Sequence, residues 1–159
     1  MSVGGTALEG RLRLALGAVA VAGLAVSGYL TAVRASGGTP ACAIATGCAQ
    51  VQQSAYSEVA GVPVAVLGLL AYAVLLATAI LGREAARIGG LFTALVGAGF
   101  SGWLTYVEIG IIDAVCLWCV VSASLMAIAV ALTATRVWLS GASAREVAPA
   151  AEVSERPLP

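Results

Sequence analysis

Four long stretches of this chain carry almost no charge. Leu12–Val33, Pro63–Leu81, Ile88–Ile109 and Cys116–Leu139 are made of apolar and small residues. Arg13, Glu108 and Arg136 are the only charges in them, each close to an end of its stretch. At a rise of about 1.5 Å per residue, helices of this length cover about 30 Å, the hydrocarbon thickness of a bilayer. Each stretch is read as a transmembrane helix. The expected fold is an all-α membrane protein: a four-transmembrane-helix bundle with a long extracytoplasmic loop that carries a short surface helix. The bundle occupies 12–139, between an N-terminus of 1–11 and a tail of 140–159. That tail is rich in Ala, Pro, Glu and Arg and is expected to be disordered.

Composition narrows the chemistry. Of 159 residues, 60% are hydrophobic and 10% charged, too apolar a balance for a soluble domain. There is no histidine, and all the basic residues are Arg. Imidazole catalysis, zinc binding through His, Lys Schiff bases and Lys-dependent phosphate loops are therefore excluded. The formal net charge is zero, so no basic excess exists to hold nucleic acid. The lipid bilayer is the implied surrounding.

The arginines orient the bundle. Arg11 and Arg13 stand at the start of the first helix, and Arg83 and Arg87 lie between the second and third. Arg136, Arg145 and Arg156 lie at or beyond the end of the fourth, and only Arg34 falls on the other side. The positive-inside rule puts both termini in the cytoplasm. The first run is also longer than the apolar core of a cleaved signal peptide, and cleavage would leave the next loop on the same side. Small residues recur every fourth position in the third run, as Gly90, Ala94, Ala98, Gly102 and as Gly89, Thr93, Gly97, Ser101. Such rows let helices approach closely in lipid. Trp103 and Tyr106 fit an aromatic belt at the outer interface and Trp138 one at the inner.

The four cysteines lie in or beside the two outward segments, Arg34–Val62 and Gly110–Val115. The first segment, at roughly 29 residues, is long for a connection between packed helices. It holds Cys42 and Cys48 with Gly47 between them. Ala49–Ala60 then reads as a weak helix, with Val51, Ala55 and Val59 on one face, ended by Gly61 and followed by Pro63 at the start of the second transmembrane helix. The second pair is Cys116-Leu117-Trp118-Cys119. With Asp113 as cap, both sulfurs share one face at the start of the last helix, where unsatisfied N–H groups favour thiolate.

Inert structural disulfides, a four-cysteine zinc site and unpaired core cysteines are competing readings of these residues. Relay chemistry explains more. A mobile pair in the aqueous space and an anchored pair at the membrane can exchange disulfides in series. They would move two electrons from a soluble donor to a lipid-soluble acceptor, for which a quinone is the natural choice. A rival of another class is a non-enzymatic four-helix protein, such as a small transporter or assembly subunit with structural disulfides. The helix centres, however, lack the charges expected of a transporter.

The chain resembles the vitamin K epoxide reductase (VKOR) family in its bacterial disulfide-forming branch. The matching residues are Cys42 and Cys48, Ser54, Gly61-Val62-Pro63 leading to Gly68 and Tyr72, and Cys116-Leu117-Trp118-Cys119; the likeness spans about 12–139. The resemblance implies a membrane thiol–disulfide oxidoreductase of the bacterial inner or cell membrane, with its active site on the extracytoplasmic side. It implies that Cys42 takes electrons from a thioredoxin-like thiol oxidase, that Cys48 exchanges with Cys116, and that Cys119 reduces a menaquinone- or ubiquinone-type quinone. It places Ser54 near the quinone pocket and requires no metal. Since the chain ends about 20 residues after the last helix, the thioredoxin-like partner is expected to be a separate protein. Val64 and Ala123 stand where animal members have Asn and Tyr, which favours plain quinone reduction over epoxide reduction. The DsbB-like family uses the opposite order of cysteine pairs.

Overall fold

The computed structural model describes residues 3–42 and 47–154, with side chains described for 7–42 and 47–141. Four long helices dominate: α1 (Val3–Ala35), α3 (Val64–Leu81), α4 (Glu84–Val107) and α5 (Leu117–Ser154). The spans Ala7–Ala35, Val64–Leu81, Glu84–Ile112 and Leu117–Gly141 are long and apolar enough to cross a membrane. The protein is an integral membrane helical bundle. Its helices form a ring in which α1 touches α3 and α5, and α4 touches α3 and α5.

The core holds Leu16 and Ala20 of α1, Tyr72, Leu75 and Ala79 of α3, Ala94 of α4, and Met126 and Ala129 of α5. Leu14, Leu70 and Ile80 point outward instead, as lipid-facing positions do. Packing uses only part of the small-residue rows. A Cβ on Gly90 would press on Thr78 and Thr133, and one on Gly97 on Met126, whereas Gly89 and Gly102 face open space. The tightest approach is elsewhere: a Cβ on Gly23 would enter the Tyr72 ring.

At the end of the bundle away from the cysteines, α3 turns into α4 through Gly82, a left-handed C-cap with φ 60°. Arg13 reaches across to satisfy the last turn of α3, donating from Nε to the Ala79 carbonyl (2.8 Å) and from Nη2 to that of Ile80 (2.5 Å). Glu9 links Arg136 (3.1 Å) and Arg87 (3.4 Å) at the same end.

In the tail from 140, α5 continues as far as Ser154, and 155–159 lie outside the described residues. One expectation is corrected. The expected helix over Ala49–Ala60 is much shorter. α2 covers Cys48–Gln52 only, a 3-10 turn follows at Ala55–Ser57, and β1 (Glu58–Val59) pairs antiparallel with β2 (Val62–Pro63). Ala60 and Gly61, at φ 52° and 79°, make the tight turn between the strands. Arg34 fixes this path. Its guanidinium donates to the Gln52 carbonyl (2.8 Å), to Ser57 Oγ (3.2 Å) and to Glu58 Oε1 (2.6 Å), contacts that an uninterrupted helix would not gather.

Candidate active site

Both cysteine pairs meet at one end of the bundle. Cys42 and Cys48 form a disulfide, with Cα atoms 6.3 Å apart, while Cys116 and Cys119 are free thiols. Cys48 opens α2, and Cys116 immediately precedes α5. Both are buried in one small apolar cluster with Val51, against which Cys42, Trp118 and Cys119 pack. Cys42 is only half-buried. The loop disulfide therefore rests on the helix pair, with one sulfur inside and the other toward the surface.

Three contacts bring the loop so close. Gly47 lies against the backbone of Val115, where any Cβ would fall 2.8 Å from the Val115 N and O atoms. Gln50 Nε2 donates to the Ile112 carbonyl (3.2 Å). Trp118 Nε1 donates to the Ala41 carbonyl (3.0 Å), and the Ala41 N–H donates in turn to Tyr29 Oη (3.0 Å). The Tyr29 and Trp118 rings sit 5.0 Å apart. Trp118 is thus more than a spacer inside the CxxC, because it also holds the segment that leads to Cys42.

The helix start differs from the expectation that Asp113 caps it. Asp113 has φ 52°, a left-handed conformation that Asp tolerates, and ends a π-turn over Glu108–Ile112. Cys116 is itself the residue at the cap, since its carbonyl accepts the Val120 N–H (3.1 Å). Its own N–H donates to Glu108 Oε2 (3.1 Å). The Cys116 sulfur accepts from the Cys119 thiol and from the backbone N–H groups of Cys119 and Trp118. These donors outweigh burial and the nearby Glu108 charge and hold its thiol down at about 7. The nucleophilic form is thus available near neutral pH.

Beneath the sulfurs lies a cavity of about 450 Å3 among all four long helices. Its wall is mostly apolar, including Val26, Leu67, Phe92, Val96 and Phe100, with Cys119 and Glu108 at its sulfur end. Ser54 lines it, as the sequence reading expected of a pocket residue, but its hydroxyl donates to the Val51 carbonyl (2.7 Å). Val64 lines it too, and Ala123 is not on the wall. Tyr72 Oη, bonded to the Ser122 carbonyl (2.8 Å) and near Ser122 Oγ (3.1 Å), braces one side. Glu108, Tyr29 and Gly47 were not singled out by sequence reasoning. Glu108 had a signal, being the only carboxylate in an otherwise uncharged run, just before the CxxC.

A dithiol at a membrane-helix start, a disulfide resting on it and an apolar chamber below are an arrangement that permits thiol–disulfide exchange. A family model described as the Vitamin K epoxide reductase family matches residues 14–134. The chain belongs to the vitamin K epoxide reductase family. It is accordingly a membrane thiol–disulfide oxidoreductase. No curated protein matches it significantly.

A quinone, the acceptor this VKOR family generally uses, fits the residues present. The cavity is long-walled and apolar enough for a ring and the start of an isoprenoid tail. Cys119 and the hydroxyls of Ser101, Thr105 and Ser122 line the same space.

Proposed function

We propose that this VKOR-family protein reoxidises a thioredoxin-like, extracytoplasmic thiol oxidase and passes two electrons to a membrane quinone. The observation that carries the reading is the contact of the closed Cys42–Cys48 disulfide with the open Cys116–Cys119 pair, above the apolar cavity.

The steps follow from accessibility. A partner thiolate attacks Cys42, the less buried loop sulfur, and Cys48 leaves as thiolate. The partner's second thiolate then displaces Cys42, and the partner departs oxidised. Cys48 attacks Cys116 of the closed helix pair, and Cys119 leaves. Cys42 then displaces Cys116 from Cys48. The loop pair is closed again and both electrons rest on Cys116 and Cys119, the arrangement seen here. A bound quinone supplies the two-electron acceptor. Cys119 lies on the cavity wall, the Cys116–Cys119 disulfide would close as two electrons pass to that acceptor, and the apolar wall excludes water. Ser54 supports the cavity rim through its bond to Val51.

The arginine distribution supports cytoplasmic termini. Arg13, Arg87 and Arg136 gather at the end opposite the sulfurs, and Arg34 stands on the sulfur side. A purely structural role for the cysteines is disfavoured by the free pair and by the depressed Cys116 thiol.

Single cysteine variants test the route. Cys119→Ala abolishes quinone reduction, and a partner lacking its second cysteine accumulates a mixed disulfide with Cys42. Cys42→Ala blocks the partner but spares turnover with a small dithiol. Equal loss with both donors in Cys42→Ala would overturn this division of labour.

A further inference from the structure

Glu108 is 3% exposed, an acidic side chain enclosed at an otherwise apolar end of the bundle. Burying a carboxyl is costly unless partners compensate. Its partners are the Cys116 N–H on Oε2 (3.1 Å) and the Cys119 thiol. Neither is a cation, and Arg34, on the same side, is engaged by Glu58. The π-turn that begins at Glu108 sets this position, with its carbonyl accepting the Ala114 N–H (3.0 Å). A Ser or Asn would serve as well for accepting one backbone N–H at a helix start. A carboxyl there needs another reason. The same side chain lines the cavity, so it touches both the thiol that must lose a proton and the space where one must arrive.

We propose that Glu108 is a catalytic proton carrier: it takes the proton of the Cys119 thiol and delivers it to a quinone carbonyl oxygen. This rests on the reading that a quinone enters the cavity. Cys116 enters the step as thiolate, having given its proton to water. The Cys119 S–H bond breaks, the Cys116–Cys119 disulfide forms, and two electrons leave for the quinone. The Cys119 proton travels through Glu108 to one oxygen. Water at the cavity mouth supplies the other oxygen with a proton, replacing the one Cys116 released. Two thiols and a quinone become a disulfide and a quinol, and Glu108 finishes in the protonation state in which it began.

Glu108→Gln is the discriminating variant, because its amide oxygen still accepts the Cys116 N–H while proton carriage is lost. The full chain in detergent is assayed with dithiothreitol and a short-chain quinone. Quinol formation is expected to fall by about 100-fold or more, within the range for general acid–base groups. Two readouts are expected to stay within about twofold: opening of the Cys42–Cys48 disulfide by dithiothreitol without quinone, and quinone affinity from tryptophan fluorescence. The pH profile of kcat/KM should change once this proton route is removed. The titratable groups facing Glu108 are Cys116 and Cys119 of α5, with Tyr56 across the shared cavity. Turnover near the unsubstituted rate with an unchanged pH profile would overturn the proposal. Loss of loop exchange and quinone affinity together with turnover would also overturn it, making Glu108 a structural residue. If the unsubstituted protein formed no quinol, the quinone reading would fall and the relay with it, a failure visible before any substitution.

Discussion

The indole of Trp118 donates to the carbonyl of Ala41 at 3.0 Å, joining residues 77 positions apart in sequence. One side of this bond is the CxxC, and the other is the residue before Cys42. The loop disulfide and the helix pair are held in register by a side chain that is itself flanked by cysteines. Trp118→Phe keeps the ring against Tyr29 and removes only the bond, worth about 1 kcal/mol. The expected result is faster amide exchange at residues 36–42 and slower electron transfer from the loop to the helix pair, with helix content unchanged. Exchange mass spectrometry and single-turnover thiol trapping read both.

Cys116 titrates low because sulfur and backbone donors surround it, the Cys119 thiol foremost. Its alkylation, in protein with Cys42–Cys48 closed, should rise with pH to a midpoint of about 7. Below that pH the thiol is protonated and the reaction slows. Cys119→Ala removes the largest favourable contact and should move the midpoint upward, while Cys119→Ser, which keeps a hydroxyl donor, should move it less. Mass spectrometry of timed alkylation gives the curves.

At the opposite end, Arg136 is 1% exposed and relies on Glu9. Glu9→Gln would leave Arg136 and Arg87 together without their carboxylate. Breaking a buried ion pair costs about 3–5 kcal/mol, and Glu9 is partly exposed, so the lower part of that range is expected. Glu58→Gln breaks an ion pair that is exposed on both sides, worth about 1 kcal/mol or less. Thermal unfolding in detergent should separate the two variants clearly.

The α1–α3 crossing depends on Gly23. Gly23→Ala would drive a methyl into the Tyr72 ring, and overpacking of this kind costs about 1–3 kcal/mol. Gly89→Ala meets nothing within 4 Å and should be neutral or stabilising, since Ala is the better helix former. A lower melting temperature for the first variant and not the second is the expected outcome.

The bundle was legible in the sequence because an apolar run of sufficient length has few options in lipid. Each of the four runs became a helix, and their ends moved by only a few residues except at the terminal extensions. The loop was less legible. Val51, Ala55 and Val59 suggested one helix, but Arg34, read only as a topological charge, gathers Gln52, Ser57 and Glu58 into a bent path. Rows of small residues in α4 marked where close approach is allowed, while the tightest one fell at Gly23 of α1.

Sequence alone determined that the chain enters the membrane, that it crosses in four helices, and that one cysteine pair begins the last of them. These are consequences of local hydrophobicity and spacing, which act over one turn or one run. Tertiary structure decided which sulfur faces which, and that a lone carboxyl at the end of α4 turns onto the CxxC. That outcome depends on a π-turn, on the left-handed backbone at Asp113 and on the close seat of Gly47 against Val115. Each sets the direction of a side chain through contacts between segments distant in sequence, and no local pattern records them.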